Sequence, residues 1–271
     1  MTADSKSSQL RQLVAGARSR LAELQVEFAR EKSRVDATEA ALFLALHELN
    51  LKRDRLRLAA HYRQKFLDSF ARNNMAEAEQ TENDLKQAKA QLDEDYEELV
   101  AAAEKKKPLT AEEETGLAGV WETLVKLIQP GRFDSEPANL EAFRKLMAGI
   151  ERAKGDGDLK TMRDIAEDPQ GFLLRQGCVS LDFTDPEDLP QMQQLHDALQ
   201  KEIAAVAGSL EELRATSEYE LCQSAGQKPG YLAELATERG KQIGVEIAEL
   251  EAHAEKLAAQ IQKLCGKDKF A

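Results

Sequence analysis

Apolar residues recur at three- and four-residue steps early in the chain: Leu10, Leu13, Ala17, Leu21, Leu24, Phe28, Val35, Leu42, Leu46 and Leu49. Thr38 takes the seam position between Val35 and Leu42. So narrow a stripe predicts the seam of a coiled coil rather than the wide face of a globular-core helix. Between Ser8 and Lys106 there is no proline and Gly16 is the only glycine. An unbroken helix of that length would exceed roughly 130 Å. The seam weakens over residues 71–84, where Asn73 and Asn74 are poor helix formers, so a kink or break is expected near Asn73. It resumes with Leu85, Ala88, Leu92, Tyr96 and Leu99.

The last third repeats the pattern. Met192, Leu195, Leu199, Ile203, Val206, Leu210 and Leu213 form one run, and Ile243, Ile247, Leu250, Ala254, Leu257, Ile261 and Leu264 form another. Between them SEYELCQ reads as one or two helical turns ended by the Gly/Pro cluster at 226–230. A helix with one apolar seam needs a partner, and the two ends of the chain can supply each other. An intramolecular antiparallel pairing avoids a concentration penalty, although a homodimer would satisfy the same seams. The expected fold is therefore all-α: a long antiparallel coiled-coil arm with a small helical unit inserted between its two sides. The segments are 1–106, 107–177 and 187–271.

The insert has a different texture. Residues 108–176 hold four of the seven prolines and the only tryptophan. Thr110 and Glu113 have capping-box spacing. Leu117, Val120, Trp121, Leu124, Val125 and Ile128 then give a helix with a broad apolar face, and a turn follows at Gln129-Pro130-Gly131. Leu140, Phe143, Leu146, Met147 and Ile150 mark a second helix, and a short third one is expected around 158–167.

Composition narrows the class of function. Of 271 residues, 32% are charged and 5% aromatic, which suits long helices and argues against a sandwich, barrel or doubly wound sheet. The formal net charge of −12 opposes binding to nucleic acid and anionic membranes. No apolar run approaches the roughly 20 residues that span a bilayer. MTADSKSSQLRQLVAG lacks the apolar segment of a signal peptide, so a cytoplasmic address is expected. Cys178, Cys222 and Cys265 are dispersed, as are the four histidines, and neither set has metal-ligand spacing. No phosphate loop, GxSxG, HExxH or dinucleotide fingerprint occurs, so neither catalysis, a metal nor a cofactor is expected.

One stretch stands against the acidic background. LKRDRLRLAAHYRQK carries Lys52, Arg53, Arg55, Arg57, Arg63 and Lys65 beside Asp54 alone. It could dock phosphates or an acidic partner. The favoured reading is a face whose charges complement acidic stretches elsewhere, such as Asp93 to Glu98.

The segment LAGVWETLVKLIQPGRF, followed by EAFRKLMAGIERAKGDGDLKTM, resembles helices II and III of a J-domain. The nearest pattern is that of bacterial coiled-coil DnaJ-like proteins, in which helix II ends in kLyHPDrf. The likeness extends over residues 92–265 and is closest over 117–172. It implies a non-enzymatic role with protein partners, among them a DnaK-type chaperone whose ATP hydrolysis the His-Pro-Asp loop triggers. Here the loop is Gln129-Pro130-Gly131, followed by Arg132. Gly131 cannot supply a carboxylate, and of the basic helix II surface that such a partner docks on, only Lys126 remains. The expectation is an adaptor or scaffold, binding through its coiled coil, that does not stimulate a DnaK-type ATPase. The alternatives are an active co-chaperone, or a binder of nucleic acid or an anionic surface through Lys52–Lys65.

Overall fold

The computed structural model of the chain describes residues 3–72, 74–129, 131–266 and 270. Among these residues there is α-helix and no strand. In chain order the helices are α1 (Ala3–Ala71), α2 (Met75–Lys105), α3 (Ala111–Leu127), α4 (Pro137–Asp156), α5 (Leu159–Glu167), α6 (Pro169–Arg175), α7 (Leu189–Arg214), α8 (Ser217–Gln227) and α9 (Tyr231–Cys265). They divide into two compact units, residues 1–33 with 108–216 and residues 34–107 with 217–271. Each unit thus combines stretches that the sequence pattern alone treats as separate segments.

In the first unit, α3 starts as the Thr110–Glu113 spacing requires. The Glu113 backbone N–H donates to the Thr110 hydroxyl at 3.2 Å, and the Thr110 N–H donates to the Glu113 carboxylate at 2.8 Å. These bonds satisfy helix-end donors that would otherwise be unpaired. Asp158 caps α5 by accepting from the Thr161 N–H, and Asp168 caps α6 by accepting from the Gly171 N–H. α4 stops at Gly157, whose φ of 67° is the left-handed conformation that glycine adopts at little cost. α5 packs against both α3 and α4, and α6 against α4 and α5. The resulting core is a single cluster. Trp121, Leu124, Leu146, Ile150, Ile165 and Leu173 are almost wholly buried in it, and Leu21 and Leu24 of α1 and Leu199 of α7 join them.

The second unit is built on narrow seams. α1 ends at Ala71, and Asn74 caps α2 by accepting from the Glu77 N–H. Asn73 itself lies outside the described residues, but the expected interruption falls on either side of it. It is a reversal rather than a kink. Lys106 meets Asp36, Tyr96 meets Asp54, Asp93 meets Arg55, and Asp84 meets Lys65. One residue number falls as the other rises, so α2 returns antiparallel along α1. The long helical arm expected from the sequence is present, but its antiparallel pair is α1 with α2 and not the pairing of the two chain ends that the seams suggested. α9 runs in the same sense as α1: Ile243 and Ile247 cluster with Leu42 and Leu46, and Ile261 packs with Phe66. With the antiparallel side of α1 taken by α2, the seam of α9 covers another side. Individual seam positions shift too. Val14, not Leu13, is buried at the first repeat, and Leu99 and Leu264 are exposed.

Candidate functional site

The turn after α3 carries Gln129, Gly131 and Arg132, three of the residues that the sequence singles out. Ile128 leaves the helix in an extended conformation, which swings the Gln129 side chain inward until it is 1% exposed. Its Nε2 donates to the Phe183 carbonyl at 2.7 Å and to the Lys126 carbonyl at 3.2 Å. Its Oε1 accepts from Nη1 of Arg132. Arg132 goes on to donate through Nη2 to Asp182 at 3.2 Å and to the Thr184 hydroxyl at 3.4 Å. Gly131 has φ 80°, where a Cβ would be strained whatever the free space. Pro130 lies outside the described residues. The Lys126 side chain is exposed, and only its carbonyl takes part in the network.

These groups hold an extended strap, residues 178–188, that links α6 to α7. Gln170 fixes it a second time. Its Oε1 accepts from the Ser180 hydroxyl at 2.6 Å and the Leu181 N–H at 3.1 Å, while its Nε2 donates to the Leu181 carbonyl. Leu181 is buried, and Phe183 lies edge-on to Phe133 with ring centroids 5.9 Å apart. At the far end Asp185 receives two bonds from the Arg18 guanidinium of α1, at 2.7 and 2.9 Å. This fork-to-fork geometry fixes both position and orientation. The Asp182 carboxyl is held below the usual carboxylate range by hydrogen bonds from the Thr184 N–H and hydroxyl, with the Arg132 charge adding to them. Beside the turn is a cavity of about 110 Å³, lined by Gln129, Arg132, Pro186, Gln191 and Leu195 among others. Cofactor and drug-sized sites are several times larger, commonly about 300–1,000 Å³.

Gln170, Arg18, Asp182, Phe183 and Asp185 are absent from the residues picked out by sequence. The signal available was the alternation Leu181-Asp182-Phe183, a short extended pattern set between Gly177 and Pro186. What it could not reveal was its contact with Gln129, 54 positions away.

The cationic stretch of α1 belongs to the second unit, where acids meet it from two helices. Lys52 pairs with Glu251 and Arg57 with Glu246, both on α9 and both at 2.8 Å. Arg55 pairs with Asp93 at 2.8 Å and Lys65 with Asp84 at 3.4 Å, both on α2. Arg53 lies against Asp54 at 2.9 Å, and Arg63 is half-buried. The Tyr96 hydroxyl donates to Asp54 at 2.7 Å. Burial pushes the Tyr96 phenol up to about 12, and the hydrogen bond to Asp54 adds to the shift. Burial works against ionising Asp54, but hydrogen bonds from Arg53 and Tyr96, with the charges of Arg53 and Arg57, bring it below its ordinary value. The stretch thus knits α1 to its neighbours, as the favoured reading of its charge pattern expects.

Cys178, Cys222 and Cys265 are free thiols. Among the described residues no group of three or more His, Cys, Asp and Glu side chains is placed to hold a metal ion, and no helix is long and apolar enough to cross a membrane. No protein-family model matches the chain, and neither a curated protein nor a solved structure matches it.

Proposed function

We propose that the chain is a non-enzymatic adaptor, built on a J-like helical module whose signature loop now serves internal structure, which binds protein partners through its long helices. The observation that carries this reading is the inward turn of Gln129. A loop that triggers a partner must present polar groups outward. Here the one amide is consumed by the Phe183 carbonyl and Arg132, and Gly131 has no side chain to present. Arg132 is likewise engaged by Asp182 and Thr184. With Lys126 the only cation on α3, steering toward an acidic docking surface is weak. The ion pairs along Lys52–Lys65 favour a protein-binding helical scaffold over a nucleic-acid binder, since most of those cations already have carboxylate partners.

Single-turnover ATP hydrolysis by a DnaK-type chaperone tests the reading. The expected rate with the chain added is the basal rate. Stimulation equal to that of a control J-protein, lost on Pro130→Ala, would replace the adaptor with an active co-chaperone. A low-salt mobility shift with duplex DNA is expected to be negative.

A further inference from the structure

We propose that the groove holding residues 178–188 is a docking site for an extended acidic peptide of a partner protein, and that the strap is its resident occupant. The inference rests on the adaptor reading and adds, to the contact through its long helices, a second one in the first unit. Among the described residues, no backbone-to-backbone hydrogen bond ties residues 179–187 to the helical body. The main chain of the strap is instead held by side-chain amides, Gln129 on the Phe183 carbonyl and Gln170 on the N–H and carbonyl of Leu181. Such amides grip any extended backbone, as a sheet edge does in strand-addition recognition.

Specificity comes from the positions between these grips. Leu181 fills an apolar site and Phe183 packs on Phe133, while the carboxylates of Asp182 and Asp185 meet Arg132 and Arg18. The matching ligand is apolar-acid-apolar, followed two residues later by a second acid. Both carboxylates stand largely in solvent, with side chains 69% and 54% exposed, so competing carboxylates can reach the arginines. Val179 is exposed and adds nothing to the hold. A segment whose apolar hold is Leu181 and the half-buried Phe183, and whose polar ties reach solvent, has few buried contacts for its length, as do elements that open locally.

The test uses the full chain and a fluorescein-labelled peptide of the sequence of residues 178–188, with Ser in place of Cys178. A Phe183→Ala/Asp185→Ala variant weakens the resident strap and leaves the groove intact, its fold checked by circular dichroism. Fluorescence anisotropy is expected to show binding to this variant about tenfold tighter than to the wild type, because the groove is no longer mostly occupied. Adding Arg132→Glu should abolish that binding, and a peptide with Lys at both acidic positions should not bind. No binding to the weakened variant, or binding indifferent to Arg132→Glu, would overturn the proposal. A concentration-dependent doubling of the variant's mass that excludes the peptide would also overturn it, by making a second copy the occupant. Should the peptide fail while Leu257→Asp in α9 abolishes capture of a cytosolic partner, the groove falls and the adaptor reading stands.

Discussion

The two units solve the same problem of burying helices in different ways. In the first, five helices besides the start of α1 share one continuous core dominated by Trp121, Leu124, Leu146, Ile150 and Ile165. In the second, long helices meet along separate small clusters, one around Phe66 and Ile261 and another around Leu42, Leu46, Ile243 and Ile247. Carboxylate–cation pairs flank those clusters. A wide apolar face resists the loss of any one polar contact, whereas a narrow seam leaves register to charge placement. Hence the polar chemistry of the first unit is concentrated at one turn and its strap, and that of the second is spread along α1.

Core truncation should separate the units most clearly. Trp121→Ala removes the largest wholly buried side chain and is expected to cost about 3–5 kcal/mol, read by chemical denaturation. Leu46→Ala, in a seam with room to collapse, should cost about 2 kcal/mol, the low end for a buried leucine. Equal costs would erase the distinction drawn here. Gly131→Ala forces a side chain into the left-handed region and should cost about 1–2 kcal/mol, with hydrogen exchange rising around the turn and not in α9.

The charged side of the comparison predicts smaller, conditional effects. A phenol whose pKa is raised by folding binds its proton more tightly in the folded chain. The contribution of Tyr96 is therefore complete below its ordinary value of 10 and is lost as pH climbs toward about 12. Thermal melting across that window should fall more steeply for the wild type than for Tyr96→Phe. Asp54 acts in the opposite sense, its contribution vanishing as pH drops through its lowered value. Arg57→Gln removes an exposed pair with Glu246 and should cost less than about 1 kcal/mol, shrinking further in high salt.

What could be read from sequence follows the range of the interactions involved. The capping box at Thr110 and the seam of α9 from Ile243 to Ile261 are local, and both are found in place. The seam of α1 was legible in period and, apart from the first repeat, in phase: Leu21, Leu24, Val35, Leu42 and Leu46 are buried, whereas Leu13 and Val14 are both apolar and only tertiary contact chooses Val14. The reversal after Ala71 left a weak signal in the adjacent asparagines. Yet the direction of α9 was not encoded in its own pattern, since the same seam serves parallel and antiparallel neighbours. At the candidate site the residue Gln129 was visible and its inward orientation was not. That orientation depends on Phe183 and Arg132, and the short alternation of the strap does not say what it packs against.

Gln129 spends its amide on the strap, with its Nε2 on the Phe183 carbonyl and its Oε1 on Arg132, rather than presenting it outward. Hydrogen exchange of Gln129→Ala against the wild type tests it most directly. Losing the amide leaves the Phe183 carbonyl without its side-chain donor, a change worth about 1–3 kcal/mol where the group stays buried. Amides of residues 178–188 should then exchange about tenfold faster, as about 1.4 kcal/mol of lost protection implies, while α4 and α5 keep their wild-type rates. Unchanged exchange over 178–188 would contradict the account, because Gln129 would then be free for a role outside the chain.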